Sequence, residues 1–263
     1  MTTNNCLNCD KELTDKFCAG CGQKAEIHRI TFKNLIFHDI LHGTFHIDRG
    51  ILFTAKQSLL RPGKAALEYI SGKRKRYYNV FYLILIMIGL MLFFRHIDEL
   101  FYPQEIEAIP KPSKLDETSQ RLNEMISQRS KFIILLFIPF AALNSFILFR
   151  RKKLNLSEHS ILTGMILLGI ILLNILTNFF FLFDLTFGLS NTVASLIVAG
   201  LIIAYVIYAY IDAFSADYSK LGMVFRVLLF FGLLYIELRI LLYLMVGIIT
   251  DWKMVEKVTL SPF

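Results

Sequence analysis

Cys6-Leu7-Asn8-Cys9 and Cys18-Ala19-Gly20-Cys21 are the residues whose types and spacing point most directly to chemistry in this chain. Two residues between cysteines let one tight turn aim both sulfurs at a point, and two such turns supply four thiolates in a tetrahedron. Gly22, directly after the second pair, suits the left-handed conformation that closes such a turn. These are the only four cysteines of the chain, so a disulfide framework is not expected. The segment is too short for an apolar core, and a structural metal can supply on the order of 10–16 kcal/mol of folding free energy. The donor set selects structural zinc at Cys6, Cys9, Cys18 and Cys21, with iron, a redox dithiol or a degenerate site as alternatives. Four protein ligands leave no open position, which argues against catalysis at the metal. Such a head either recruits a cytoplasmic protein partner or caps the N-terminus.

Other chemistry-bearing residues are scattered. His38, His42 and His46 recur every fourth residue, with Asp39 and Asp48 nearby. A continuous helix would align the three imidazoles as metal ligands, but Gly43 and Thr44 interrupt it, so packing or hydrogen bonding is the leading reading. Glu158, His159, Asp212 and Asp217 could gather into a lipid-headgroup site, with solvation at the interface as the plainer reading. Ser157 is expected to cap the helix that follows, with Glu158 favouring its N-terminus. Glu237 and Arg239 lie inside an apolar block, as do Asn174 and Asn178. Ionisable groups at membrane depth are costly and are candidates for function. Glu237 and Arg239 lie about 200° apart on a helix and cannot pair well with each other. A Glu237–Asn174 contact is the expected partnership, serving as an interhelical clamp or lining a solute or proton path.

The elements that must hold these residues follow from the hydropathy. The 263 residues are 55% hydrophobic and 14% aromatic. Crossing roughly 30 Å of hydrocarbon takes about 20 apolar residues. Blocks of that kind run at about 77–94, 132–149, 160–183, 190–211 and 222–250, the last the least apolar because it carries Arg226, Glu237 and Arg239. The loop over 95–131 is long and prolines punctuate it, with a polar, helix-compatible stretch from Lys114 to Arg129. Lys73, Arg74, Lys75 and Arg76 precede the first block and Arg150, Arg151, Lys152 and Lys153 follow the second. Both runs belong on the cytoplasmic side. Five spans then put the N-terminus inside and the C-terminus outside. The N-terminal segment lacks the pattern of a cleavable signal. The net charge of +7 reads as this topology signal, not as a nucleic-acid footprint.

Between head and spans, three short apolar faces recur at helical spacing: Phe32, Leu35, Ile36, Ile40 and Leu41; then Ile51, Leu52, Ala55 and Leu59; then Ala66, Leu67 and Ile70. None can span. They are expected at the inner membrane surface, with the 73–76 run on anionic lipid headgroups, or packed on the ends of the spans. The domains are therefore a zinc head over 1–25, amphipathic interfacial helices over 26–76 and a transmembrane domain over 77–263. The fold expected is an all-α membrane protein with about five transmembrane helices, interfacial helices and a small N-terminal zinc-ribbon-like knuckle.

The double CxxC head ending in Cys21-Gly22-Gln23-Lys24 is followed by FHIDRGILFT, by Arg61-Pro62-Gly63 and by EYISGKR. With Ser157-Glu158-His159 as a weaker landmark, this series resembles an uncharacterised bacterial membrane family, the domain of unknown function numbered 3667. The landmarks run from Cys6 to Arg76, and the transmembrane part matches mainly in layout. The resemblance implies a zinc-ribbon-like head on a multi-span domain and brings no activity, substrate or catalytic residue.

Three functions compete. A non-catalytic scaffold or adaptor leads. A small-solute or ion transporter subunit would use Glu237, Arg239 and Asn174, but five spans without an inverted repeat fit common transporters poorly. A membrane-embedded lipid-acting enzyme would need catalytic signatures, and the sequence has no GxSxG, HExxH or phosphate-cradling glycine loop.

Overall fold

The computed structural model describes residues 5–31, 50–101, 136–182 and 191–249. Among these residues there are seven helices: α1 Gly50–Leu60, α2 Pro62–Ile70, α3 Val80–Phe101, α4 Leu136–Leu148, α5 Leu156–Leu182, α6 Asn191–Phe214 and α7 Lys220–Ile249. The head adds two isolated antiparallel bridges, Asn5 with Glu12 and Phe17 with Lys24. The helix suggested over 32–41, the three histidines His38, His42 and His46, and the stretch from Lys114 to Arg129 lie outside the described residues.

Local signals explain the helix starts. Pro62 opens α2, where its fixed φ is pre-set and its missing N–H is no loss. Asn79 caps α3, its Oδ1 accepting from the Phe81 amide at 3.0 Å. Asn155 caps α5: its Oδ1 accepts from Glu158 N at 2.9 Å while Glu158 Oε2 accepts from Asn155 N at 2.8 Å. This reciprocal box replaces the cap expected from Ser157, which lies one residue inside the helix and is buried. Ser219 Oγ accepts from Gly222 N at 3.3 Å and so caps α7.

Packing centres on α5, which meets α1, α2, α3 and α6; α2 also lies on α6, and α6 meets α7. Leu162, Met165, Ile166 and Leu168 are fully buried along α5. Where α4 and α6 converge, the Phe149 ring stacks on Phe214 at 4.6 Å and on Tyr210 at 5.1 Å. Gly63 in α2 lies against the backbone of Ala209 and Ala213 in α6, where a side chain would have no room. By contrast, Leu196 and Leu201 of α6 and Phe225, Leu228 and Ile236 of α7 are exposed. An outward apolar surface of this kind is what lipid-facing helices carry.

Three helices are long and apolar enough to cross a membrane: Leu156–Thr177, Val193–Phe214 and Lys220–Leu241. They mark the chain as a membrane protein. Two further apolar helices, Val80–Phe93 and Leu136–Leu148, are shorter over their described side chains. The expectation of about five spans therefore stands at three by length and composition. The intervening 102–135 stretch lies outside the described residues.

α1 buries Thr54 and Ser58 and leaves Leu52 81% exposed. α2 buries Pro62, Gly63, Ala65 and Ala66. Small and hydroxyl-bearing residues face the bundle because they allow close backbone approach and can bond it. Thr54 Oγ1 accepts from Tyr78 N at 2.7 Å.

Candidate metal centre and its mounting on the helical domain

The head is two copies of one turn. In the first, Cys6 N donates to Lys11 O at 2.8 Å and Asp10 N to Cys6 O at 2.9 Å. In the second, Cys18 N donates to Gln23 O and Gly22 N to Cys18 O, both at 2.8 Å. The residue after each closing cysteine has a positive φ, 59° at Asp10 and 72° at Gly22. The glycine was legible in the sequence. Its counterpart Asp10 was not singled out, although aspartate tolerates this conformation better than most residues do.

The two turns face each other. Cys6 Sγ lies 3.6 Å from Cys21 Sγ, and Cys9 Sγ lies 3.5 Å from Cys18 Sγ. All four sulfurs are within 4.8 Å of one another. Metal–thiolate bonds of about 2.3 Å give a tetrahedron with edges of about 3.8 Å, so the four fit around one ion with small adjustments. Among the described residues this is the group of ligating side chains close enough to hold a metal. The thiols are unequal. The backbone N–H groups of Cys21 and Gly20 point to Cys18 and lower its pKa to about 6. The Lys11 N–H favours the Cys9 thiolate, but desolvation and the three other sulfurs outweigh it and push Cys9 up to about 12. Like charges crowd here, and a bound cation would relieve them.

Each turn also grips the helical domain. Leu7, next to Cys6, sits on Gly72, where a Cβ would come within 2.7 Å of Leu7 Cδ1. Gln23, buried two residues after Cys21, satisfies both ends of its amide on the α2–α3 turn. Its Nε2 donates to Gly72 O at 3.0 Å, and its Oε1 accepts from Arg74 N at 3.2 Å and Lys75 N at 3.0 Å. The chain after the head then runs as a strap to α5. Arg74 Nη2 donates to His28 O at 3.0 Å, and Asn155 Nδ2 to Ile30 O at 2.8 Å. Arg29 meets Glu158 and also donates to Lys153 O at 2.7 Å.

The inner-face candidates each have a partner of their own. Glu158 pairs with Arg29, Asp212 with Lys64 at 3.3 Å, and Asp217 with Lys152 at 2.9 Å. Asp212 also accepts from the Lys64 amide at 2.8 Å, inside the first turn of α2. His159 is fully buried, its Nδ1 sharing a hydrogen bond with Ser145 Oγ at 2.8 Å. Of the 73–76 run, Arg76 is committed to Glu68 at 2.6 Å and Arg74 lies over the Tyr69 ring, whereas Lys75 is exposed. Glu68 also binds Arg61 at 3.2 Å and Tyr77 Oη at 2.7 Å, and so ties the α1–α2 corner to the connection between α2 and α3.

Inside the spans, Glu237 accepts from Asn144 Nδ2 of α4 at 2.7 Å. The sequence had suggested Asn174 for that role, and no periodic signal distinguished Asn144. Asn174 sits half-buried on α5, where its carbonyl accepts from Thr177 Oγ1 at 2.9 Å. The side chain of Asn178 lies outside the described set. Arg239 lies over the Tyr235 ring at 6.0 Å. Arg226, nearer the helix start, donates to Leu148 O at 3.1 Å and covers the Tyr218 ring at 4.2 Å.

Residues 48–92 match the model of a family described as a protein of unknown function (DUF3667). The matched segment takes in α1, α2 and the first part of α3. No curated protein and no solved structure matches the chain.

Proposed function

We propose that this chain is a non-catalytic scaffold of the bacterial inner membrane whose head holds a structural zinc ion and offers a fixed surface to a cytoplasmic partner. The observation that carries the reading is the four-sulfur cluster gripped through Leu7 and Gln23. Four thiolates close the coordination sphere, as structural sites require, and zinc is the metal that tetrahedral sulfur most commonly holds. The head and the strap behind it adjoin both basic runs: Gln23 takes the amides of Arg74 and Lys75, and Arg29 binds Lys153. Basic loops favour the cytoplasmic side. Counting α3 and α4 as spans then gives five crossings, with the N-terminus inside and the C-terminus outside. Lys73 and Lys75 are the residues of the 73–76 run left to meet anionic headgroups.

The competing readings have less support. Glu237 on Asn144 has the form of an interhelical clamp. The Ser145–His159 pair is buried and offers no nucleophile to a substrate. Metal analysis of the purified full chain tests the zinc head: one zinc per chain is expected, and none in Cys18→Ser. Recruitment fails if that variant, normally inserted, retains the same bound proteins as the parent. A C-terminal reporter active in the cytoplasm would refute the five-span topology.

A further inference from the structure

Helix α1 ends where water should be scarce. The last carbonyls of a helix have no partner within it, and in hydrocarbon the protein itself must satisfy them. Two tyrosines of α6 do so here. Tyr205 Oη donates to Ser58 O, and Tyr208 Oη donates to Leu60 O at 2.7 Å. The Arg61 amide takes Gln57 O at 2.9 Å. The corner that follows is closed in the same way, Asp212 accepting from the Lys64 amide.

The depth of the last turn of α1 can be read from the helices beside it. Three ion pairs, Arg29–Glu158, Lys64–Asp212 and Lys152–Asp217, mark a charged layer at one end of the bundle. Ser58 O lies against Gly169, about 16 Å of helix axis beyond Glu158. It also meets Tyr205, about 10 Å of axis from Asp212, while Leu60 O, nearer the corner, meets Tyr208 about 6 Å from it. Helix tilt shortens these distances, yet the first two are a sizeable part of an apolar thickness of about 30 Å. At its other end α1 starts at the surface layer, with Gly50 against the backbone of Arg76 and Tyr78.

We propose that α1 dips from the membrane surface into the inner-leaflet hydrocarbon, and that its outward stripe of Leu52, Lys56 and Leu60 contacts lipid acyl chains. The stripe is one turn apart at each step and is exposed throughout, Leu60 to 59%. Two leucines facing outward, opposite a buried face of Thr54 and Ser58, is the inside-out arrangement of a lipid-facing helix. Lys56, between them, has a stem long enough to carry its ammonium back to the headgroups. Arg61, just past the end of α1, has its guanidinium taken by Gln57 and by Glu68, the carboxylate that also holds Arg76 of the surface layer. The occupant of the stripe is thus lipid, and α1 is a short inserted wedge rather than a helix lying flat.

The inference rests on the chain being a membrane protein, and one experiment separates the two. Trp252 is the sole tryptophan, so a Trp252→Phe background is dark, and single tryptophans can be read in the full chain in proteoliposomes. Leu52→Trp and Leu60→Trp replace exposed side chains and should fold. Leu201→Trp, exposed on α6, reports a spanning helix. Lipids brominated along the acyl chain are expected to quench Leu201→Trp and Leu60→Trp strongly and Leu52→Trp less, with aqueous acrylamide ineffective at Leu60→Trp. If Leu201→Trp is quenched by lipid but Leu60→Trp by acrylamide, α1 lies in water and the proposal falls. If neither agent reaches Leu60→Trp, protein covers the stripe and the proposal also falls. If Leu201→Trp escapes lipid quenching, the membrane reading itself fails.

Discussion

Arg29 and Glu158 form a two-pronged ion pair, Nε to Oε1 and Nη2 to Oε2, each at 2.8 Å. The pair joins the strap behind the head to the first turn of α5, with Glu158 buried and Arg29 largely exposed. Hydrogen bonds to charged groups are stronger than neutral ones, but solvent around the exposed arginine screens this pair. Arg29→Ala should lower the thermal midpoint in detergent and leave metal content unchanged. Arg29→Lys should rescue little, because an ammonium cannot serve both carboxylate oxygens and the Lys153 carbonyl at fixed geometry. Full rescue by lysine would reduce the contact to simple charge attraction.

Gln23 fastens the head by three hydrogen bonds to one turn. Gln23→Ala leaves the amides of Arg74 and Lys75 and the carbonyl of Gly72 without these partners, at about 1–3 kcal/mol if water does not replace them. Faster hydrogen exchange is expected at residues 72–75, with α5 and α6 unaffected. Unchanged protection there would show that Leu7 alone suffices.

Metal loss should act on the same turn. A strong chelator is expected to speed exchange at residues 22–24 and 72–75 together, since Leu7 and Gln23 flank cysteines of the same four-sulfur cluster. Protons compete with metal for thiolates. Cys18, lowered to about 6, ionises well before Cys9, raised to about 12. In the metal-free head the Cys18 thiolate favours the folded turn above its unfolded value and ceases to do so as pH falls through about 6. The raised Cys9 works oppositely, favouring the fold while protonated and losing that effect as pH rises through about 12. Metal uptake should therefore begin to rise near pH 6 and keep rising above neutrality. Pulsed uptake of cobalt, read by its thiolate absorption, checks this; a profile flat from pH 5 to 9 would contradict it.

Gly63 holds α2 against the α6 backbone. Even Gly63→Ala places a methyl group into Ala209 and Ala213, and overpacking of this kind costs about 1–3 kcal/mol. The shift should also break Lys64–Asp212. A double-mutant cycle of Gly63→Ala with Asp212→Asn tests that link: strong non-additivity is expected, and simple additivity would separate the two contacts.

Glu237→Gln keeps an acceptor for Asn144 and should leave stability nearly unchanged. Glu237→Leu orphans Asn144, with an expected loss of about 0.6–1.7 kcal/mol by the range for hydrogen bonds in membranes. If Glu237→Gln instead abolished a solute flux in proteoliposomes while folding stayed intact, the scaffold reading would give way to transport.

The long helices and the cysteine turns were legible because each rests on a repeated signal: apolar length for α5, α6 and α7, spacing for the sulfurs. Contacts made by single amides were not. Gln23, Asn144 and Asn155 each hold two elements together, yet one uncharged polar residue leaves no periodicity to read. The buried face of α1 was not legible for a different reason. Apolar-inward patterning assumes water outside, and beside lipid Leu52 can face out while Thr54 and Ser58 face the protein.

The tyrosines that finish α1 lie far along the chain, Tyr205 being 147 residues and Tyr208 148 residues from their acceptors. At synthesis rates of about 5–20 residues per second, a ribosome needs roughly 7–30 s to deliver them. Until then the carbonyls of Ser58 and Leu60 have only water as a donor, and α1 has reason to stay at the surface. Its entry into the bilayer would be among the last steps of biogenesis, made only after α5 and α6 have been threaded, whereas a truncated nascent chain would leave α1 outside.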